Sequence, residues 1–133
     1  MSDIRRAGAP YQYKGKEYEL VMTVNVIDQI QETFDIHINE ISKIIGDMKS
    51  RSFYKNIASI ITIMLNEAIE IQNEENGEKN TPINEAEVRR YITNVNINDA
   101  FMAIANAYSL AFLMKEEDDI GENDPNRESG KSS

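Results

Sequence analysis

The sequence contains no cysteine. Disulfides and thiolate metal sites are therefore excluded, and an intracellular setting is the simpler expectation. Histidine is almost absent as well: His37 is the only one. In the stretch DIHINE it lies near Asp35 and Glu40, but structural zinc takes four N or S ligands and catalytic zinc usually three protein ligands. One imidazole with two carboxylates at loop spacing carries no metal expectation. No GxGxxG and no GxxxxGK[ST] occurs, so phosphate-cradling loops lack support. The loop EENGEKNTPINE superficially resembles a calcium loop. With Gly77 at the sixth position, however, Gln72 falls first and Ile83 twelfth, where an EF-hand needs carboxylates. No nucleophile–base pair stands out, so no cofactor and no enzymatic activity are expected.

Long apolar runs are missing too. The longest is IASIITIML, residues 57–65, about half of what a membrane span requires. The opening MSDIRRAGAP has two arginines with no apolar stretch behind them and does not read as a secretory signal. Basic residues are outnumbered, 14 Lys and Arg against 23 Asp and Glu, for a formal charge of -9. That balance disfavours nucleic acid and anionic membranes as partners, since both require clustered cations.

What remains is a 133-residue chain with 41% hydrophobic residues, enough for one domain with a real core. Residues 1–10 have no periodicity and read as a flexible arm. Residues 11–14 and 17–24 alternate in the two-residue period of strands, and Gly15 supplies the positive φ that a tight hairpin needs. Tyr18, Leu20, Met22 and Val24 share one face of the second strand, while Tyr11 and Tyr13 share one face of the first. The hairpin thus spans residues 11–24. Asn25 is the expected cap of a helix carrying Ile27, Ile30 and Phe34 on one stripe. A short helix from Asn39 places Ile41, Ile44, Ile45 and Met48 inward. The long helix starts near Ser52, runs about 20 residues, and buries Phe53, Ile57, Ile60, Ile61, Met64, Ala68 and Ile71, with Leu65 and Ile69 broadening the stripe. Residues 73–82 read as a loop. Asn84 and Glu87 form a capping-box pattern ahead of Val88, Tyr91 and Ile92. Asn98 or Asp99 caps a last helix, ending near Lys115, with Phe101, Ile104, Ala105, Tyr108, Ala111 and Phe112 inward. Residues 116–133, EEDDIGENDPNRESGKSS, contain one large apolar residue, Ile120, and read as a disordered acidic tail. The expected fold is mainly α: a single domain over residues 11–115 with four to five helices and an N-terminal β-hairpin.

Met22, Met48, Met64, Met102 and Met114 sit at or beside these stripes. They either fill the core or offer an adaptable surface to partner helices. A two-stranded ribbon alone is marginal in water. It must pack on its own helices, or present an edge that recruits a neighbouring strand. On the second reading Tyr11, Tyr13, Tyr18, Leu20 and Met22 are the candidate protein-interaction residues.

The start YQYKGKEYEL, followed by NVIDQIQETFDIHINEI, resembles the tail assembly chaperones of long-tailed bacteriophages and prophages. The resemblance is clearest over residues 11–45 and only architectural over residues 52–115. It implies a non-enzymatic helper in the host bacterial cytoplasm that coats the tape measure protein, keeps its hydrophobic helices soluble and recruits tail tube subunits. It further implies a homo-oligomer, and in many members a longer frameshifted form. The alternatives are a small regulatory or adaptor protein that binds one host or phage protein, and a minor structural tail component.

Overall fold

The computed structural model describes residues 8–114, with the backbone alone at Met114. The expected acidic tail of residues 116–133 and most of the expected arm lie outside the described residues. The architecture is mainly α with an N-terminal two-stranded antiparallel hairpin. Strand β1 (Ala9–Tyr13) pairs with β2 (Lys16–Leu20) in the register Tyr11↔Tyr18 and Tyr13↔Lys16. The connection has two residues, and both carry positive φ, Lys14 at 53° and Gly15 at 81°. That is the primed turn whose twist matches the strands. Ala9 and Pro10, expected in the arm, belong to β1.

Helix α1 (Val24–Phe34) follows almost at once. Here two sequence expectations are corrected. The second strand ends at Leu20, not Val24, because the Thr23 amide turns back to donate to the Val21 carbonyl (3.0 Å). Val24 is therefore the first helical residue, 72% exposed and not inward. The N-cap is Thr23, not Asn25: its hydroxyl accepts from the Val26 amide (3.2 Å) and donates to the Glu67 carboxylate (2.7 Å). One side chain thus caps α1 and ties the end of the ribbon to the long helix.

A 3-10 turn (Ile38–Glu40) leads into α2 (Ser42–Ile45), a single turn of helix. Met48, expected inward, is 70% exposed because α2 stops at Gly46, before it reaches that residue. A Cβ at Gly46 would strike the Ser42 carbonyl oxygen, so glycine is what lets the turn close there.

Helix α3 (Phe53–Asn76) is the organising element. Its 24 residues span about 36 Å. It contacts α1, α2, α4, α5 and β2. Ile57, Ile60, Ile61, Met64 and Leu65 are fully buried, as a helix covered on several sides requires. The helix outlasts the expected boundary by a turn: residues 73–76 are helical, and Gly77 ends it at a left-handed φ of 67°. Two asparagines of α3 hold the following loop reciprocally. Asn73 accepts from the Asn80 amide and donates to its carbonyl, and Asn66 does the same with Ile83.

Helix α4 (Glu85–Tyr91) is capped by Asn84, whose side chain accepts from the Ala86 amide (2.7 Å). Helix α5 (Ile97–Ser109) continues as a π-helical turn over Leu110–Met114. Its cap is neither Asn98 nor Asp99. Asn96 precedes the first turn, accepting from the Thr93 amide (2.8 Å) and donating to the Tyr91 carbonyl (3.0 Å), which fixes the α4–α5 corner. Among the described residues no helix is long and apolar enough to cross a membrane.

Candidate protein-interaction site

The five residues singled out in the ribbon are brought together, and the chain itself covers them. Tyr11, Tyr13, Tyr18, Leu20 and Met22 are all buried, none more than 8% exposed. The inner face of β1 lies on α5 and that of β2 on α3. Tyr13 is held most firmly. Its hydroxyl donates to Glu87 Oε2 (2.7 Å), its ring meets Tyr91 edge-on at 4.7 Å, and Lys14 Nζ reaches the same carboxylate oxygen (3.1 Å). Glu87 is thus spent on the ribbon, not on the capping box its spacing suggested. Burial, together with the hydrogen bond to Glu87, pushes the Tyr13 phenol well above its ordinary range. The bonds from Tyr13 and Lys14 hold the Glu87 carboxyl below the usual range. Burial pushes Tyr11 up to about 12, with Tyr91 and Asp99 adding to the effect. The Tyr11 hydroxyl is buried with no hydrogen-bond partner among the described residues.

The ribbon's two free edges are guarded. Tyr13↔Lys16 flanks the turn, so hydrogen-bonded pairs alternate from there, and Pro10, Gln12, Glu17 and Glu19 turn their backbone groups outward. Pro10 has no N–H to offer an incoming strand, and Glu17 and Glu19 place like charges along the edge of β2. Proline and charge are the usual guards of an edge.

His37 has a structural place. It opens the 3-10 turn with a reciprocal cap, its amide donating to Glu40 Oε1 (3.1 Å) and its Nδ1 accepting from the Asn39 amide (3.4 Å). That backbone bond, with Lys43 Nζ at 3.0 Å, lowers the Glu40 carboxyl. Among the described residues no group of three or more His, Asp or Glu could hold a metal ion.

The site that sequence reasoning missed lies between α2 and α5. A groove of about 230 Å³ is walled by Ile41, Ile45 and Gly46 on one side and by Phe101, Ala105 and Tyr108 on the other. Aromatic contacts extend it in both directions: Phe101 lies 6.4 Å from Phe53, and Tyr108 stacks at 4.8 Å on Phe112. Phe101, Tyr108 and Phe112 are only partly buried, and Leu113 is 57% exposed. The loop from Gly46 to Phe53 borders the Phe101 end and carries the exposed Met48.

The groove exists because α5 has two stripes, and the sequence reading placed the aromatic one inward and took only Ile104 from the other. The stripe facing the core is Ala100, Ala103, Ile104 and Ala107. Three alanines let the ribbon approach closely. Phe101, Ala105, Tyr108 and Phe112 form a second stripe, and single-turn α2 is too short to cover it. The signal was present in the spacing: aromatics at positions 101, 108 and 112 recur at seven and four residues on a face adjacent to the alanines.

Two other hollows have a more mixed lining. One lies beside Tyr54, Lys55, Arg89 and Ile92, and the other between Gln12, Asp99 and Asn106 at the edge of β1. Comparison of the chain with family models, curated proteins and solved structures returns no match.

Proposed function

We propose that the chain is a non-enzymatic protein-binding helper, of the kind represented by the tail assembly chaperones it resembles. The observation that carries this reading is the α2–α5 groove. It sets the partly buried aromatic side chains of Phe101 and Tyr108, with Phe112 beyond them, against a floor of buried Ile41, Ile45 and Ile104, an apolar surface of the kind that receives one face of a helix. Such a surface invites aggregation unless the rest of the molecule keeps copies apart, and a net charge of -9 favours that. Tape measure helices are the expected client, with tail tube subunits recruited afterwards and self-association along the coated rod. The ribbon's tyrosines, being covered, serve this role by holding α5 in place and not by touching the client.

The test is co-expression of the full chain with an apolar helical segment of a phage tape measure protein. The segment should stay in the soluble fraction with the wild-type chain. It should precipitate with Ala105→Glu, which puts a charge on the groove wall at a half-buried position. If the segment precipitates with both, or stays soluble with both, the groove is not a client site and the chaperone reading falls.

A further inference from the structure

We propose that the acidic segment following α5 is the groove's own occupant, with Ile120 seated between α2 and α5. Three observations carry this beyond the reading above, and the inference holds whichever partner the groove serves.

The first is position. Tyr108 and Ser109 line the groove, and the described chain stops at Met114, barely more than a turn beyond. Nineteen residues follow, 115–133. Ile120 is six residues past Met114, an extended reach of about 20 Å. Going back along α5 from Met114, Tyr108 is about 9 Å away and Phe101 about 20 Å. The one large apolar side chain of the segment can therefore reach any part of the groove and little beyond it.

The second is charge. The chain is strongly acidic, yet its α2–α3 corner is basic: Lys43, Lys49, Arg51 and Lys55 stand against Glu40 and Asp47, and all four cations are exposed. Lys43 is paired with Glu40, whereas Lys49, Arg51 and Lys55 have no ion-pair partner among the described residues. The segment carries Glu116, Glu117, Asp118 and Asp119 before Ile120, and Glu122 and Asp124 after it. Running back along α5, the first four pass α2 and Lys43. The last two arrive at the loop bearing Lys49 and Arg51, which borders the Phe101 end.

The third is composition. Ile120 stands alone among polar residues, which suits a single apolar anchor in a small groove and cannot supply a core of its own. Tethering makes up for the small contact, since a short flexible link gives an effective concentration of ~1 mM order. An intramolecular occupant of this kind shields the aromatics until a partner with more apolar surface displaces it.

The experiment uses the full chain, and the absence of native cysteine makes a single label unambiguous. A nitroxide is attached through Gly121→Cys, beside Ile120, and amide signals are compared before and after reduction of the label. The amides of Ile45, Phe101, Ala105 and Tyr108 should lose more than half their intensity, while those of Gln12 and Arg89 keep theirs. Adding Ile120→Ser should restore the groove signals without altering the rest of the spectrum, and raising the salt should restore them in part. Three results would overturn the proposal. Broadening could be confined to the residues next to the segment, at 110–114. It could persist at the groove with Ile120→Ser. It could appear on an unlabelled copy mixed with the labelled one, which would make the occupant a second molecule.

Discussion

Two regions of this molecule carry most of its aromatic side chains and treat them oppositely. At the ribbon corner Tyr11, Tyr13 and Tyr18 are buried, and the Tyr13 hydroxyl is met by a carboxylate. At the α2–α5 groove Phe101, Tyr108 and Phe112 are only half covered and have mainly each other. The chain has the same raw material in both places. What differs is the second cover. The ribbon gains α3 and α5 beneath it and α4 at its flank, whereas the groove's outer wall is a four-residue helix closed off by Gly46. Aromatic spacing alone therefore does not separate a core from a binding face. The length of the neighbouring element does.

The comparison breaks first if the ribbon is not truly core. Leu20 is fully buried at the end of β2, so Leu20→Ala should cost about 2–5 kcal/mol, the range for truncating a buried aliphatic. Urea unfolding followed by far-ultraviolet circular dichroism and by tyrosine fluorescence should show one shared transition shifted by that amount. A cost under about 1 kcal/mol, as at surface sites, would make the ribbon an appendage that peels away without disturbing the helices.

A smaller effect is expected at the polar side of the same corner. Tyr13→Phe removes the hydrogen bond to Glu87 while keeping the ring on Tyr91, and should cost about 1 kcal/mol. The pH dependence sharpens this. Tyr11 and Tyr13 both have folded values raised above the ordinary phenol value of 10.0. Their contribution to stability is complete below pH 10 and is lost as the pH rises toward and past 12, because the unfolded chain releases those protons first. The urea midpoint should therefore fall above pH 10, in step with tyrosinate absorbance at 295 nm. Tyr13→Phe should lessen the fall. An unchanged fall would mean that Tyr13 is not buried against Glu87 in solution.

How much of this was legible depends on the range of the interaction. The hairpin was readable because alternation and Gly15 are local, and α3 because its three-and-four spacing repeats over many turns. Asn84 caps α4 as expected, but two other helix caps were read two residues late. Asn25 and Asn98 are good capping residues, but Thr23 also reaches across to Glu67, a tertiary bond, and Asn96 back to the Tyr91 carbonyl at the α4–α5 corner, and those bonds decided the boundary. Glu87 fits a capping box by spacing, yet Tyr13, 74 residues away, claims it. Met48 was placed inward on a helix that stops short of it. The groove was illegible for the same reason: it is the gap left where a truncated α2 meets α5, and neither sequence window contains both. What could have been read is that α5 has two apolar stripes, one of small residues and one of aromatics.

The smallest expected effect tests the groove side directly. Tyr108 lies on a groove wall, half covered and stacked on Phe112. If nothing but that stack holds it, Tyr108→Ser should cost less than about 1 kcal/mol. The matched change on the ribbon, Tyr18→Ser, deletes a ring that is only 8% exposed and should approach the roughly 3–5 kcal/mol of a buried aromatic truncation. Urea midpoints of the two variants, measured side by side in the full chain, give the ratio. A Tyr108 cost equal to that of Tyr18 would mean that the groove is filled to core density in solution, and the contrast between the two regions would be lost. An intermediate cost that falls back to the surface value when Ile120→Ser is added would locate the missing cover in the acidic segment. In that case the two regions differ in when their aromatics are covered: the ribbon permanently by the chain's own helices, the groove only until a partner arrives.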